Sequence, residues 1–184
     1  MFEKINLDRF QDKNLELEVG SGNGDFLIHH TTNTKAFVIG TELKLNRCQK
    51  IAKKITNNKI DNQILVRSRA EDVLRSIPSN FLDAVHVYFP DPWTKSKHRG
   101  RRFLKKGNLD ILVSRLNPGG HLFFVTDFFD YFLQTKILCL SHPDLHLNLD
   151  LVAQAGENAI FSRYRFRLIE LGKSILALVA TKNI

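Results

Sequence analysis

Short apolar runs alternate along the chain with longer stretches in which apolar residues recur at helical spacing, the signature of repeated strand–helix units around a mostly parallel sheet. Leu15 to Val19 and Ala36 to Gly40 are short and apolar enough to be buried strands, with room for one helix between them at about Asp25 to Thr31. Leu43, Cys48, Ile51, Ala52 and Ile55 predict a second helix, Asn57 and Asn58 a break, and Ile64 to Val66 a third strand. Leu82 to Phe89 is the clearest strand, and it runs into Pro90-Asp91-Pro92, where two prolines stop regular pairing and a loop must start. Beyond it the pattern predicts a helix over Phe103 to Leu116, a turn at Pro118-Gly119-Gly120, a strand over His121 to Thr126 and a helix over Phe128 to Leu140. Leu145, Leu147, Leu149 and Leu151 alternate as in a strand. Ser162 to Leu171 fits either period, with Arg163, Arg165 and Arg167 alternating against Tyr164, Phe166 and Leu168 in favour of a strand, and Ser174 to Thr181 reads as a closing strand. The expected fold is α/β, with an antiparallel C-terminal hairpin on an otherwise parallel sheet and one domain over the 184 residues.

The first strand leads into Glu18-Val19-Gly20-Ser21-Gly22-Asn23-Gly24, which allows a tight turn and close approach of a ligand to the backbone. The spacing is Gly-x-Gly-x-Gly, with Asp25 where a dinucleotide fold places its third glycine, so a nicotinamide cofactor is disfavoured. Glu18 would repel a pyrophosphate and attract an ammonium group, which S-adenosylmethionine carries. Glu42, just after the second strand, stands where an α/β nucleotide site uses a carboxylate to accept ribose hydroxyls. Ligands of open α/β sheets bind beyond the carboxyl ends of the strands, so Glu18, Glu42, Asp91 and Asp127 are expected to converge on one crevice.

Composition narrows the partners. No run reaches the roughly 18 to 20 apolar residues of a membrane span, since Asp127 and Asp130 interrupt the richest stretch. The opening residues carry no continuous apolar region of a secretory signal, which predicts a cytoplasmic location. Cys48 and Cys139, far apart, exclude a disulfide scaffold and a thiolate zinc site; His142 and His146 are separated by Pro143 and read as loop histidines, so no metal is expected. The formal net charge of +8 is concentrated: Lys95, Lys97, Arg99, Arg101, Arg102, Lys105 and Lys106, with His98 among them, form an acid-free run suited to a polyanion.

Three segments carry a family resemblance. Glu18 to Gly24, the run Phe89-Pro90-Asp91-Pro92-Trp93-Thr94-Lys95-Ser96-Lys97-His98-Arg99-Gly100-Arg101-Arg102, and Val125-Thr126-Asp127-Phe128 resemble the bacterial tRNA (guanine-N7-)-methyltransferases in order and spacing. The similarity covers about Leu15 to Phe132, with a weaker tail. The glycine motif belongs to the whole class I, Rossmann-like methyltransferase superfamily, whereas the Pro-Asp-Pro-Trp and basic segment is specific to that family.

The resemblance implies a Rossmann-like sheet of seven strands and methyl transfer from S-adenosylmethionine to N7 of guanosine 46 in the tRNA variable loop. It implies cofactor binding by Glu18, Gly20, Gly22, Gly24, Glu42, Arg69, Ala70 and Asp91, with Asp91 also the catalytic acid. Arg69-Ala70 stands where the family has Asp or Asn before Ala near the adenine. Substrate binding is implied for Lys95, Lys97, His98, Arg101, Arg102, Asp127, Ser162 and Arg165, the last two within Ser162-Arg163-Tyr164-Arg165, which replaces the family's Thr-x-Phe/Tyr-Glu and reverses a charge. The tail resemblance puts a helix at Ser162 to Leu171, against the local alternation. Monomer and homodimer are both compatible with the family, and no obligatory protein partner is expected. The competing reading is a tRNA-binding protein that keeps the methyltransferase fold but has impaired catalysis.

Overall fold

The computed structural model describes residues 14–158 and 168–184. Seven strands form one sheet in the order β3-β2-β1-β4-β5-β7-β6. These are β1 (Leu15–Glu18), β2 (Phe37–Thr41), β3 (Gln63–Val66), β4 (Leu82–Tyr88), β5 (Leu116–Thr126), β6 (Leu145–Leu147) and β7 (Leu176–Lys182). The helices are α1 (Asp25–Asn33), α2 (Leu45–Asn58), α3 (Ala70–Ser76), α4 (Lys106–Arg115), α5 (Phe129–Leu140) and α6 (Val152–Asn158). Strands β1 to β5 pair in parallel, and β7 pairs antiparallel with both β5 and β6.

The sequence Leu-Glu-Leu-Glu of β1 shows how the layers form. Leu15 and Leu17 point to one face, where Ile39, Val85, Leu122 and Phe124 join Leu74 of α3, Leu112 of α4 and Tyr131 of α5 in the larger core. The opposite face packs Val38 against Leu27 of α1 and Ile51 of α2, and Phe123 with Val179 against Ala155 of α6. All four β1 residues are buried, so Glu16 and Glu18 occupy interior positions that an apolar side chain would ordinarily fill.

Three segments differ from the sequence pattern. Pro118-Gly119-Gly120 is not a turn ahead of a strand but lies within an eleven-residue β5, where the pairing register with β4 shifts between Leu82 and Ala84. The alternation at Leu145 ends as a strand at Leu147, and Val152–Asn158 is helical; one buried residue, Ala155, leaves no periodic stripe to read. Ser96–Arg101 forms a 3-10 helix inside the basic run. The two readings of Ser162 to Leu171 fall mainly on residues outside those described, as do Ser162 and Arg165. At its end, residues 168–170 are helical.

Candidate active site

The strand order reverses at β1, which lies between β2 and β4, and ligands of open α/β sheets bind at the carboxyl edge of such a switch point. Glu18 ends β1, Glu42 follows β2, Arg69 precedes α3, Asp91 follows β4 and Asp127 follows β5. The topology therefore brings to one edge the acids that the sequence separates by more than one hundred positions.

The turn from β1 to α1 is built by backbone geometry. Gly20, Gly22 and Gly24 all have positive φ (76°, 56° and 75°). At Gly24 glycine is required twice over, because a Cβ there would also sit 2.9 Å from Cγ1 of Ile51. The end of β2 holds the turn. Gly20 N–H donates to Thr41 Oγ1 (3.0 Å), whose hydroxyl donates to the Glu18 carbonyl (2.9 Å), and Gly22 N–H donates to Glu42 Oε2 (3.0 Å).

The two glutamates differ. Glu42 is saturated: Oε1 accepts from Leu43 and Lys44 N–H at 2.7 and 2.8 Å, and Oε2 meets Gly22 and, at 3.5 Å, Nη1 of Arg47. Glu18 is buried, with Oε2 lacking a hydrogen-bond partner. Burial, helped by the nearby charges of Asp25 and Glu42, pushes its carboxyl up to about 7. A buried acceptor left open is a place for a donor from a ligand, and a cationic donor would restore its charge.

The loop after β4 is strained on both sides of Asp91. Phe89 and Trp93 have φ of 48° and 44°, a left-handed conformation that costs large aromatic residues about 1–3 kcal/mol each. The basic segment holds the loop in place. Arg102 is buried, its Nε donating to the Pro92 carbonyl (2.8 Å), Nη1 to Gln134 (2.6 Å) and Nη2 to Asp130 (2.7 Å), with its guanidinium 4.7 Å above the ring of Tyr131. This differs from the expectation that Arg102 meets tRNA: its five N–H groups face inward, and it fastens the loop to α5. Arg101 covers Trp93 at 5.0 Å and His98 meets the same ring edge-on at 5.8 Å. Arg99 pairs with Asp130 (3.2 Å). Asp91, Lys95, Lys97 and Lys106 are exposed, free to present charge to solvent.

Asp127 lies between β5 and α5, half-buried, 3.9 Å from Nζ of Lys173. Lys173 was absent from the sequence candidates, since no motif surrounds it. Arg69 is exposed at the N-terminal boundary of α3, and Ala70 beside it is buried.

Residues 12–177 match the family described as "Putative methyltransferase". A "Bifunctional methyltransferase" of Rickettsia prowazekii (strain Madrid E) is 30% identical over 160 residues, 86% of this chain and 31% of the relative. A "tRNA (guanine-N(7)-)-methyltransferase" of Rhizobium johnstonii is 37% identical over 129 residues, 70% of this chain and 55% of the relative. The chain thus spans about a third to just over half of the curated relatives it matches. Among solved structures, the 16S rRNA methyltransferase KamB superposes with a TM-score of 0.66 at 16% identity, covering 95% of this chain and 90% of that one, a likeness of fold.

Proposed function

The chain belongs to the "Putative methyltransferase" family, and from that premise we propose that it transfers a methyl group from S-adenosylmethionine to N7 of guanosine 46 in the variable loop of tRNA. The observation that carries this reading is the open, buried Oε2 of Glu18 at the switch point, beside a glycine turn and across the sheet edge from the Pro90-Asp91-Pro92 loop. The names of the relatives support the same substrate class.

The residues fit the cofactor. Glu18 would take its ammonium group, the glycine turn would let its carboxyl and sulfonium end approach the backbone, and Glu42 would accept a ribose hydroxyl on Oε2 in place of the long contact to Arg47. The bound cofactor supplies a methyl group on a positively charged sulfur.

Guanine N7 carries an in-plane lone pair and no proton, so the site needs no general base. The lone pair forms the new N–C bond, the S–C electron pair returns to sulfur, and the positive charge passes to the purine. Asp91 and Asp127 then serve by placement: carboxylates near the ring accept hydrogen bonds from its N1 and exocyclic amine and favour the cation that develops. The strained backbone around Asp91 and the Arg102 anchor keep that carboxylate in position before substrate arrives. Lys95, Lys97, His98 and Arg101 supply the phosphate-binding surface, in the cytoplasm, where tRNA is found.

The test incubates the purified chain with labelled S-adenosylmethionine and unmodified tRNA, digests the RNA and identifies the nucleoside by mass spectrometry. The expected product is 7-methylguanosine, absent when guanosine 46 is replaced. Asp91→Ala is expected to retain the fold while lowering kcat by about 100-fold or more. Binding of both ligands without transfer by the unaltered chain would instead support the tRNA-binding reading.

A further inference from the structure

We propose that Glu16, His30 and His86 form a binding site for a divalent transition-metal cation, with zinc the best match, which clamps β1, α1 and β4 together beneath the glycine turn. Glu16 Oε2, His30 Nε2 and His86 Nε2 lie within 4.8 Å of one another, the one such group among the described residues. Both imidazole nitrogens stand 2.7 Å from the same carboxylate oxygen. Two imidazole nitrogens and one carboxylate oxygen make a donor set for a borderline cation, whereas magnesium and calcium take oxygen.

The surroundings suit a cation that has lost most of its water. Side-chain exposure is 2% for His86, 9% for Glu16 and 12% for His30. The rings are set in place by aromatic neighbours: Phe26 lies 4.8 Å from His30 and 4.7 Å from His86, and Phe123 stacks on His86 at 5.0 Å. A cavity of about 640 Å³, bordered by all three groups together with His121 and Asn158, leaves room for a fourth ligand from solvent.

His86 also has the outer partner a ligating histidine needs. Its Nδ1 is 2.9 Å from the Tyr88 hydroxyl. Without the cation, each Nε2–H donates to Glu16; with it, the neutral ring carries its proton on Nδ1 and donates to the Tyr88 oxygen, so Nε2 presents a lone pair to the metal. Two hydrogen bonds are exchanged for three metal–ligand bonds. The Glu16 carboxylate must draw back slightly, because ligand atoms around zinc at 2.0–2.2 Å stand about 3 Å apart or more.

The position gives the clamp a consequence. Glu16 is two residues before Glu18, His86 two before Tyr88 ends β4, and His30 is in the last turn of the helix that begins after Gly24. The cation would therefore tie together the strand that leads into the glycine turn, the helix that leaves it and the strand that leads into the Asp91 loop.

The test uses the full chain, stripped with chelator and dialysed metal-free, titrated calorimetrically with zinc and separately with cobalt(II). The expected result is one saturable zinc per chain, a Tm that rises with the logarithm of free zinc concentration above the dissociation constant, and cobalt absorption bands of a four- or five-coordinate nitrogen–oxygen site. His30→Gln, on the solvent side of the cluster, is expected to weaken zinc binding about 100-fold or more and abolish the cobalt bands while the circular dichroism of the metal-free chain is unchanged. Glu16→Gln should do the same. Absence of saturable binding, binding that survives both substitutions, or binding lost in His146→Gln but kept in His30→Gln would overturn the proposal. Cofactor binding to the same preparations, measured in parallel, reads the crevice separately from the clamp.

Discussion

Glu18 and Arg102 are both buried charged residues at the site, and they work in opposite ways. Glu18 has an open acceptor, and burial pushes it up to about 7, above the unfolded carboxyl range near 4.5. A raised acid contributes stability in full below the unfolded value, and that contribution is lost as pH rises from about 4.5 through about 7. A cationic ligand selects the ionised form, so affinity for S-adenosylmethionine should rise with pH and level off above about 7, falling roughly tenfold per unit well below it. Calorimetric titration across that range checks this, and Glu18→Gln should bind more weakly with a flatter profile. Arg102, by contrast, donates a hydrogen bond from each of its three guanidinium nitrogens. Arg102→Ala should cost about 2–3 kcal/mol in urea denaturation, through the cavity and the stranded Pro92 and Gln134 acceptors, Asp130 being on the solvent side. Charge density along the basic run predicts a polyanion surface but could not distinguish the member that turns inward, because inward direction depends on α5, twenty-eight residues downstream. The position of Glu18 was legible because the glycines that follow it have few other uses; its open oxygen was not.

Elements were legible where burial imposes a period. β1, β2 and β4 bury both faces and announce themselves as short apolar or alternating runs, and α2 follows from Ile51 and its helical neighbours. α6 and the 3-10 helix escaped, since neither buries a repeating stripe; the latter is held by Arg101 on Trp93 and by Arg102, contacts made across the chain. The β1–α1 turn gives a graded test. Gly24→Ala combines positive φ with a 2.9 Å approach to Ile51 and should destabilise the fold by about 2–4 kcal/mol. Gly22→Ala meets no atom closer than 3.9 Å and should cost about 1–2 kcal/mol, from its backbone alone. Urea denaturation of the two variants side by side reads the difference as the contribution of α2 packing to the turn.

At the scale of the molecule, the placement of Glu18, Glu42, Asp91 and Asp127 at one sheet edge was inferable from the alternation of strands and helices and the loop chemistry together. What periodicity could not supply was the strand order at the far edge, where β7 enters between β5 and β6. The charge asymmetry also acts at this scale. With a net +8 and an exposed Lys95 and Lys97 beside the Asp91 loop, tRNA affinity should fall steeply with salt. Lys97→Ala should weaken binding and reduce the slope of log affinity against log salt by about 0.7–0.9, measured by filter binding at several ionic strengths. Arg102→Lys should leave that slope nearly unchanged while lowering stability.

The insertion of β7 also dictates an order of events during synthesis. β5 and β6 leave the ribosome before their shared neighbour exists, and Phe123 and Phe124 of β5 meet Val179 and Leu178 more than fifty positions later. Until Leu176–Lys182 emerges, β5 has an unpaired edge, β6 has no neighbouring strand, and the sheet stops two strands short. The half of the molecule that carries Glu18 and Glu42 can assemble early from near neighbours, while the half that carries Asp127 must wait, exposed to wrong pairing, for the last strand of the sheet.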